Sequence, residues 1–187
     1  KTMGELLAFA KANPGKLNLG TVNIGSTQNL AAELLKTSAG LDFQVVPFNG
    51  SPAVLNALRG GQIDASIEIL GPMMGQISAK AVRPLAVMGD HRATVLPAVP
   101  TLAESGVAKF NVSSWNALAA PAKTPRDVVA RLNREALAAL NSPDVRKRLE
   151  DLNVAARGST PEQLAELLAS DTKRWGEVIT QAKIPRQ

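Results

Sequence analysis

The stretch "KLNLGTVNIGSTQNLAAELLK", residues 16–36, joins an extended segment directly to a helix and thereby indicates the fold class. The residues before Gly25 are short, apolar and bounded by glycine, which is typical of a strand, whereas those after Thr27 carry apolar residues at helical spacing. A helix that starts at this join leaves backbone N–H groups without intrahelical partners. Because such groups attract anions, Ser26 and its neighbours are candidates for a simple helix cap or for a ligand site.

The same alternation of short strands and helices continues along the first part of the chain. Regular alternation of this kind predicts an α/β fold with a parallel sheet built from βαβ units. The predicted strands cover 16–21, 43–48, 65–70, 82–88 and 110–121, with 153–158 as a weaker candidate, and the predicted helices cover 3–12, 27–38, 51–59, 72–79, 125–140, 143–151 and 161–182.

Six helix starts are marked by capping residues. In three of them a threonine is followed three residues later by Glu or Gln, which matches the capping box. In the other three a hydroxyl residue precedes proline, which predicts a hydroxyl cap with proline at the first helical position. The boxes begin at Thr2, Thr101 and Thr160, and the hydroxyl–proline pairs begin at Ser51, Thr124 and Ser142.

The character of the sequence changes after Pro121, where strands give way to helices alone. We therefore expect an α/β lobe over 1–112, a connecting strand over 113–124 and a helical segment over 125–187. The apolar faces of these last helices must be buried against another part of the protein. Trp115, in the connecting strand, is predicted to pack in a core, and Asn116 could line a cleft.

Composition excludes several classes of function. The 187 residues are 45% hydrophobic and 20% charged, with a net charge of +5 that is scattered over predicted helix faces. Aromatic residues make up only 3%, with no tyrosine, which argues against stacking on single-stranded nucleic acid. There are no cysteines, so disulfides and thiolate chemistry are excluded. No apolar stretch reaches the ~20 residues of a membrane span, and no signal-peptide pattern opens the chain.

The candidate binding residues lie where strands end. In an open parallel sheet, ligands bind beyond the carboxyl ends of the strands, where helix starts gather. Two such loops offer glycines, hydroxyls and amides but neither Lys nor Arg, so they suit a carboxylate held by neutral dipoles. The candidate ligand-binding residues are Gly25, Ser26, Thr27, Asn29, Asn49, Gly50, Ser51 and Glu68.

Glu68 has two open interpretations. Its apolar neighbours imply burial, so its carboxylate needs partners, and these could be a ligand's amine or the backbone of a loop.

Catalytic functions have weaker support in the sequence than ligand binding. A hydrolase would have to use Ser26 with His91, the single histidine, and the sequence context of a nucleophile elbow is absent. Neither a phosphate loop nor a dinucleotide fingerprint is present, and no metal ligands are suitably spaced, so we expect no cofactor and no metal.

Long segments of the chain resemble the Bug family, the extracytoplasmic solute-binding proteins of tripartite tricarboxylate transport systems. The segments that carry the resemblance are "PGKLNLGTVNIGSTQNLAAELLK", "VVPFNGSPAVLNALRGGQIDASIE", "VRPLAVMGDHRATVLPAVPTLAESG" and "VSSWNALAAPAKTPRDVVARLNREALAALNSPDVRKRLEDL". The resemblance implies a fold like that of type II periplasmic binding proteins. It also implies two α/β lobes with a cleft that closes on a small carboxylate, and transfer of the ligand to a membrane permease.

The resemblance also implies a place for each segment. Residues 1–112 would form the second, central lobe, 113–124 a crossover or hinge, and 125–187 would return to a first lobe that these residues do not contain. We therefore expect a periplasmic receptor, not an enzyme. We also expect either an incomplete cleft or an oligomer that covers the exposed stripes of the C-terminal helices. The effector-binding domain of a transcription regulator, which can share this two-lobed plan, is the alternative.

Overall fold

The computed structural model describes residues 1–108 and 110–184 of the chain. No helix among them is both long enough and apolar enough to cross a membrane. In chain order the elements are α1 (Met3–Ala12), β1 (Asn18–Val22), α2 (Thr27–Ala39), β2 (Gln44–Phe48), α3 (Ser51–Arg59), β3 (Ala65–Ser66), α4 (Leu70–Ser78), α5 (Arg126–Asn141), α6 (Pro143–Asp151) and α7 (Pro161–Gln181).

The chain divides into two compact units. Unit 1 comprises Lys1–Ser114 together with the residues from Glu177 onward, and unit 2 comprises Trp115–Gly176. The predicted three-part division into 1–112, 113–124 and 125–187 stays a prediction.

Unit 1 contains a parallel sheet of three strands in the order β2–β1–β3. β1 pairs with β2 from Asn18 opposite Gln44 to Val22 opposite Phe48, and with β3 at Gly20 opposite Ser66. The predicted βαβ arrangement is therefore confirmed, with β1 in the centre. Because all three strands run in the same direction, their carboxyl ends lie at one edge of the sheet.

The core of unit 1 lies between the sheet and the helices that connect its strands. Residues 19–21 of β1 are buried, and α2 and α3 pack against β1 and β2. A Cβ at Gly20 would lie 2.3 Å from Cδ1 of Ile63, so a side chain there would force the buried Ile63 to shift. Phe43 and Val54 are fully buried, as is the polar side chain of Thr21.

Unit 2 contains α5, α6 and most of α7, and none of its residues is buried. Leu132 of α5 is 56% exposed, and Leu168 of α7 is 54% exposed. The prediction that Trp115 packs in a core is wrong. Its ring is 39% exposed, and its Nε1 donates a hydrogen bond of 2.8 Å to Asp171. Asn116 is exposed as well.

Two capping boxes begin helices as predicted, and the third does not. Thr2 begins α1, and Thr160 begins α7 with reciprocal bonds to Gln163. Thr101 and Glu104 make the same reciprocal bonds, but they do so within a turn that ends at Gly106, where φ is 102°. Hydrogen bonding from the Arg92 guanidinium lowers the pKa of Glu104 below its usual value.

The hydroxyl–proline pairs in unit 2 do not form the predicted caps. Pro143 is the first residue of α6, but the Ser142 hydroxyl donates to the carbonyl of Ala139 instead of capping the helix. The helix α5 begins one residue later than expected, with Pro125 rather than Thr124 at the cap.

Three predicted strands are not formed in the described part of the chain: 82–88, 110–121 and 153–158. In the first, only Val87 pairs, through an isolated bridge to Thr101, and Pro84 has no N–H to extend a ladder. Residues 113–123 are exposed and pair with none of the described strands. The predicted strand 65–70 also stops at Ser66, and α4 starts at Leu70.

Candidate functional site

The two predicted binding loops leave the sheet side by side. Val22, the last residue of β1, pairs with Phe48, the last residue of β2. The loop before α2 and the loop before α3 therefore begin at adjacent points of the same edge. Ser26 and Asn49 lie at this common edge, as the sequence predicted.

The first loop is shaped by hydrogen bonds within itself. Gly25 has a φ of 80°, which favours glycine, and its N–H donates to Oδ1 of Asn29 over 3.2 Å. The N–H of Ser26 donates to the carbonyl of Asn23 over 3.0 Å. The expectation that these two amides are available to a ligand is therefore wrong, since the chain already occupies both.

Ser26 and Asn29 serve to fix the start of α2. The Ser26 hydroxyl accepts a bond of 3.1 Å from the N–H of Asn29 and donates one of 3.2 Å to the carbonyl of Val22. The side chain of Asn29 is only 4% exposed, and its Nδ2 donates to the fully buried hydroxyl of Thr21. The loop is thereby attached to the core of unit 1 through two side chains.

Two amides at the start of α2 remain unpaired, and one of them belongs to Gln28, which is only 8% exposed. Within the described chain, the backbone N–H groups of Thr27 and Gln28 donate no hydrogen bond, as is usual in the first turn of a helix. Thr27 is half-buried, and its hydroxyl also makes no hydrogen bond to a described residue. The partial positive charge of the helix start is thus concentrated at groups that can still bind an anion.

The start of α3 is built differently. Gly50 occupies the cap position with a φ of 86°, makes no side-chain cap, and donates its N–H to the carbonyl of Phe48 over 3.0 Å. The predicted Ser51 cap is wrong, because Ser51 is the first residue of α3 and Gly50 occupies the cap position. The Ser51 hydroxyl instead donates to Oε2 of Glu68 over 2.8 Å. Asn49 is exposed at the tip of the loop.

Glu68 brings a negative charge to the same edge. It follows β3, and the preceding N–H of Ile67 still bonds to the carbonyl of Gly20 in β1. Its Oε1 is buried and has no hydrogen-bond partner in the described chain. None of the ion pairs formed by described residues involves Glu68, and the neighbouring loops contain no cationic side chain.

Among the described residues, Ser26 and His91 form no hydrogen bond with each other. The hydroxyl of Ser26 bonds to backbone groups, whereas His91 is exposed and lies 3.7 Å from Asp90. Among the residues that the structure describes, no cluster of three or more His, Asp or Glu side chains could hold a metal ion.

Sequence reasoning missed two features of this edge. The bond between Ser51 and Glu68 joins residues 17 positions apart, and no local pattern signals it. The anchoring role of Thr21 could have been suspected, since a polar residue inside the strand "LNLGTV" needs a partner when it is buried.

Comparison with known proteins gives a consistent assignment. The family model described as "Tripartite tricarboxylate transporter family receptor" matches residues 1–184. A relative from Pseudomonas sp. strain P51, the "UPF0065 protein in tcbD-tcbE intergenic region", is 38% identical over 181 residues, which is 96% of this chain and 54% of the relative. The chain spans about half the length of most of the curated relatives that it matches.

Solved structures show the same similarity. R. palustris Rpa4515 with adipate matches with a TM-score of 0.83 and 31% identity, over 98% of this chain and 61% of the other. The periplasmic binding protein BugD matches with a TM-score of 0.74 and 27% identity, over 100% of this chain and 63% of the other. MatC (Rpa3494) from Rhodopseudomonas palustris with bound malate has a TM-score of 0.74 and 31% identity, over 96% and 62%. The predicted α/β class and the resemblance to the Bug family are confirmed.

Proposed function

The chain belongs to the tripartite tricarboxylate transporter receptor family, and we propose that it captures a small organic carboxylate for an uptake system of that kind. Two solved members of similar structure hold adipate and malate, which are both small dicarboxylates. The proposal extends this ligand class to the present chain and places the ligand at the sheet edge of unit 1.

The observation that supports this placement is the pair of helix starts at one edge. The N–H groups of Thr27 and Gln28 are open at the start of α2, and α3 starts beside them with a glycine in place of a side-chain cap. A carboxylate oxygen accepts strong hydrogen bonds from such amides and is further favoured by the helix dipole. Because no cationic side chain lies in these loops, the attraction is moderate, and binding can be reversed for delivery to a transporter.

We assign different roles to the residues predicted for the site. Thr27 would contact the ligand through its amide and hydroxyl, and Asn49 and Ser51 would line the neighbouring wall. Gly25, Ser26 and Asn29 would act by holding the α2 start in place, because their polar groups are occupied within the loop. Gly50 would act through its left-handed conformation, which lets the chain turn into α3. Glu68 would hold the Ser51 side chain in place through the bond between its Oε2 and the Ser51 hydroxyl.

Membership of the family supports a proposal for the location and partners of this chain. Its members are receptors, and BugD is a periplasmic binding protein. We propose that this chain likewise acts outside the cytoplasmic membrane, passes its ligand to the membrane subunits of a transporter, and does not convert it chemically. An oligomer formed through the exposed faces of the C-terminal helices remains a prediction.

A screen of organic acids by thermal shift tests the proposal, using the natural gene product with whatever sequence flanks these residues. A ligand at a hundredfold excess over its Kd stabilises a protein by about 2.7 kcal/mol, which is a readily measured rise in Tm. We expect at least one mono-, di- or tricarboxylate to raise the Tm, and its uncharged amide to have no effect. If no acid in the panel raises the Tm, or if the amides act equally well, the proposal is wrong.

A further inference from the structure

The tip of the loop between β2 and α3 carries an asparagine followed by a glycine. Asn49 is exposed, and of all the asparagines in the sequence it alone precedes glycine. Its side-chain amide makes no hydrogen bond within the described chain. Asparagine is among the thermally labile residues, and exposed loop tips are the places where the chain is most open to chemical change. The reactivity of this side chain therefore depends on its neighbour, Gly50.

Gly50 offers little steric hindrance to a reaction at Asn49. The carbon of an asparagine side-chain amide is attacked by the backbone nitrogen of the next residue, and a side chain on that residue hinders the approach. Gly50 has no Cβ, and its φ of 86° is one that other residues rarely adopt. A Cβ built at Gly50 would meet only Cδ of Pro52, at 3.7 Å, so the space beside it is largely open.

One hydrogen bond opposes the attack. The N–H of Gly50 donates to the carbonyl of Phe48 over 3.0 Å, and this bond must open before the nitrogen can reach Cγ of Asn49. It joins residues only two positions apart, at an exposed loop tip where water can replace it. Its opening is a local fluctuation that leaves the pairing of β2 and the first bonds of α3 in place.

We propose that Asn49 is a site of spontaneous deamidation in the folded protein. The backbone nitrogen of Gly50 loses its proton to solvent base and bonds to Cγ of Asn49, the Cγ–Nδ2 bond breaks, and ammonia leaves. Water then adds to one of the two carbonyl carbons of the resulting succinimide and opens the ring. The product is an aspartate, or an isoaspartate in which the main chain runs through Cβ and Cγ.

Either product changes the sheet edge at which the loop lies. Deamidation adds a carboxylate to the loop and lowers the net charge of +5 by one. The loops before α2 and α3 contain no cationic side chain to offset this charge, so the edge attracts anions less strongly after the reaction. The isoaspartate also lengthens the backbone before α3 by one atom. Weaker ligand binding by the modified protein rests on the proposed function, whereas the chemical step does not.

Peptide mapping by mass spectrometry tests the chemical step without any ligand. The natural gene product is kept folded in mildly alkaline buffer, and samples taken at intervals are digested in acid, which suppresses further reaction. The peptide that contains Asn49 should show the mass change of an NH₂ replaced by OH, in two forms with different retention times. Asn116, which is also exposed but precedes alanine, is the internal control. Asn49 should react at least about tenfold faster, which corresponds to a barrier lower by about 1.4 kcal/mol.

Two variants at this exposed position identify the product. Asn49→Gln keeps an amide, but its longer side chain must close a larger ring, so the charge variant that accumulates in the wild type on ion-exchange chromatography should disappear. Asn49→Asp marks the position at which the aspartate product elutes. A parallel incubation in urea gives the rate for the same sequence without the fold.

The outcomes are distinct. If Asn49 reacts in urea but no faster than Asn116 in the folded protein, the loop protects it and the proposal is overturned. An undiminished charge variant in Asn49→Gln would overturn it as well. Failure of every acid to bind would remove the proposed function but would leave the measured deamidation unchanged.

Discussion

Units 1 and 2 are built from similar amphipathic helices, but only unit 1 buries them. Every buried apolar residue among those described belongs to unit 1, including Val178 near the end of α7. In unit 2 the leucines of α5 and α7 remain largely exposed, and α5 and α6 contain no buried residue. An apolar stripe thus specifies a helix in both units, but among the described residues only the helices of unit 1 bury that stripe against a sheet.

The helix starts of the two units also differ in whether they are attached to a buried core. Ser26, at the start of α2, caps its helix and is connected through Asn29 to the buried Thr21. Ser142, at the start of α6, caps nothing and bonds to the preceding helix. A helix start that is anchored in a core can hold its open amides in a fixed geometry, which a binding site requires. For this reason we place the ligand in unit 1.

The two units should differ most in the free energy of unfolding that is lost when a large apolar side chain is truncated. Phe43→Ala removes a fully buried ring from unit 1 and should lower the free energy of unfolding by about 3–5 kcal/mol. Leu132→Ala, at a position 56% exposed in unit 2, should change it by less than about 1 kcal/mol. Urea denaturation followed by circular dichroism measures both, and equal losses would remove the distinction between the units.

Glycine substitutions should change stability in opposite directions. Gly50 has a φ of 86°, so Gly50→Ala should destabilise unit 1 by about 1–2 kcal/mol. Gly176 lies inside α7, where an added Cβ would meet only open space, so Gly176→Ala should stabilise the protein by about 0.5–1 kcal/mol. The same denaturation measurement applies. A stabilising Gly50→Ala would show that the loop before α3 does not depend on the left-handed conformation.

The two units should differ least in the stability that is lost when the serine at a helix start is replaced. Ser26→Ala removes a cap and should cost about 1 kcal/mol of stability, within the usual range for caps. Ser142→Ala removes an exposed hydroxyl that does not cap its helix, and should cost at most a few tenths of a kcal/mol. If the two variants lose the same stability, the anchoring of the α2 start is not the source of its rigidity.

The sequence predicted the helices well because their signals are local. The bounds of α3 and α6, 51–59 and 143–151, agree with the pattern of proline starts and apolar spacing. The strand 110–121 was predicted wrongly because its apolar residues do not indicate whether a partner strand exists. Leu118 is in fact 83% exposed.

The sequence predicted that the two loops meet at one sheet edge, but it did not predict the contacts within them, and the assignment of these residues to a ligand site stays a prediction. Strand order decides which loops meet, and the alternation of elements was enough to put the two glycine loops at one edge. The occupied amide of Gly25 depends on the side chain of Asn29, and the partner of Ser51 depends on β3 lying beyond β1. Only the contact between Ser51 and Glu68 is set by the tertiary arrangement, whereas the bond between Gly25 and Asn29 joins residues four positions apart and depends on the conformation of the loop.

The central claim is that a neutral helix start holds the ligand's carboxylate, and Thr27→Pro tests it most directly. Proline removes the N–H at the first position of α2, where it is well tolerated, and the φ of −66° and ψ of 159° at Ser26 suit a residue before proline. Thr27→Ala is the matched control, because it removes the hydroxyl and keeps the amide.

Calorimetry with the tightest-binding acid of the panel should show Thr27→Pro binding about ten- to hundredfold more weakly than Thr27→Ala, with unchanged circular dichroism. Equal affinities for these two variants, with the helix intact, would contradict the account.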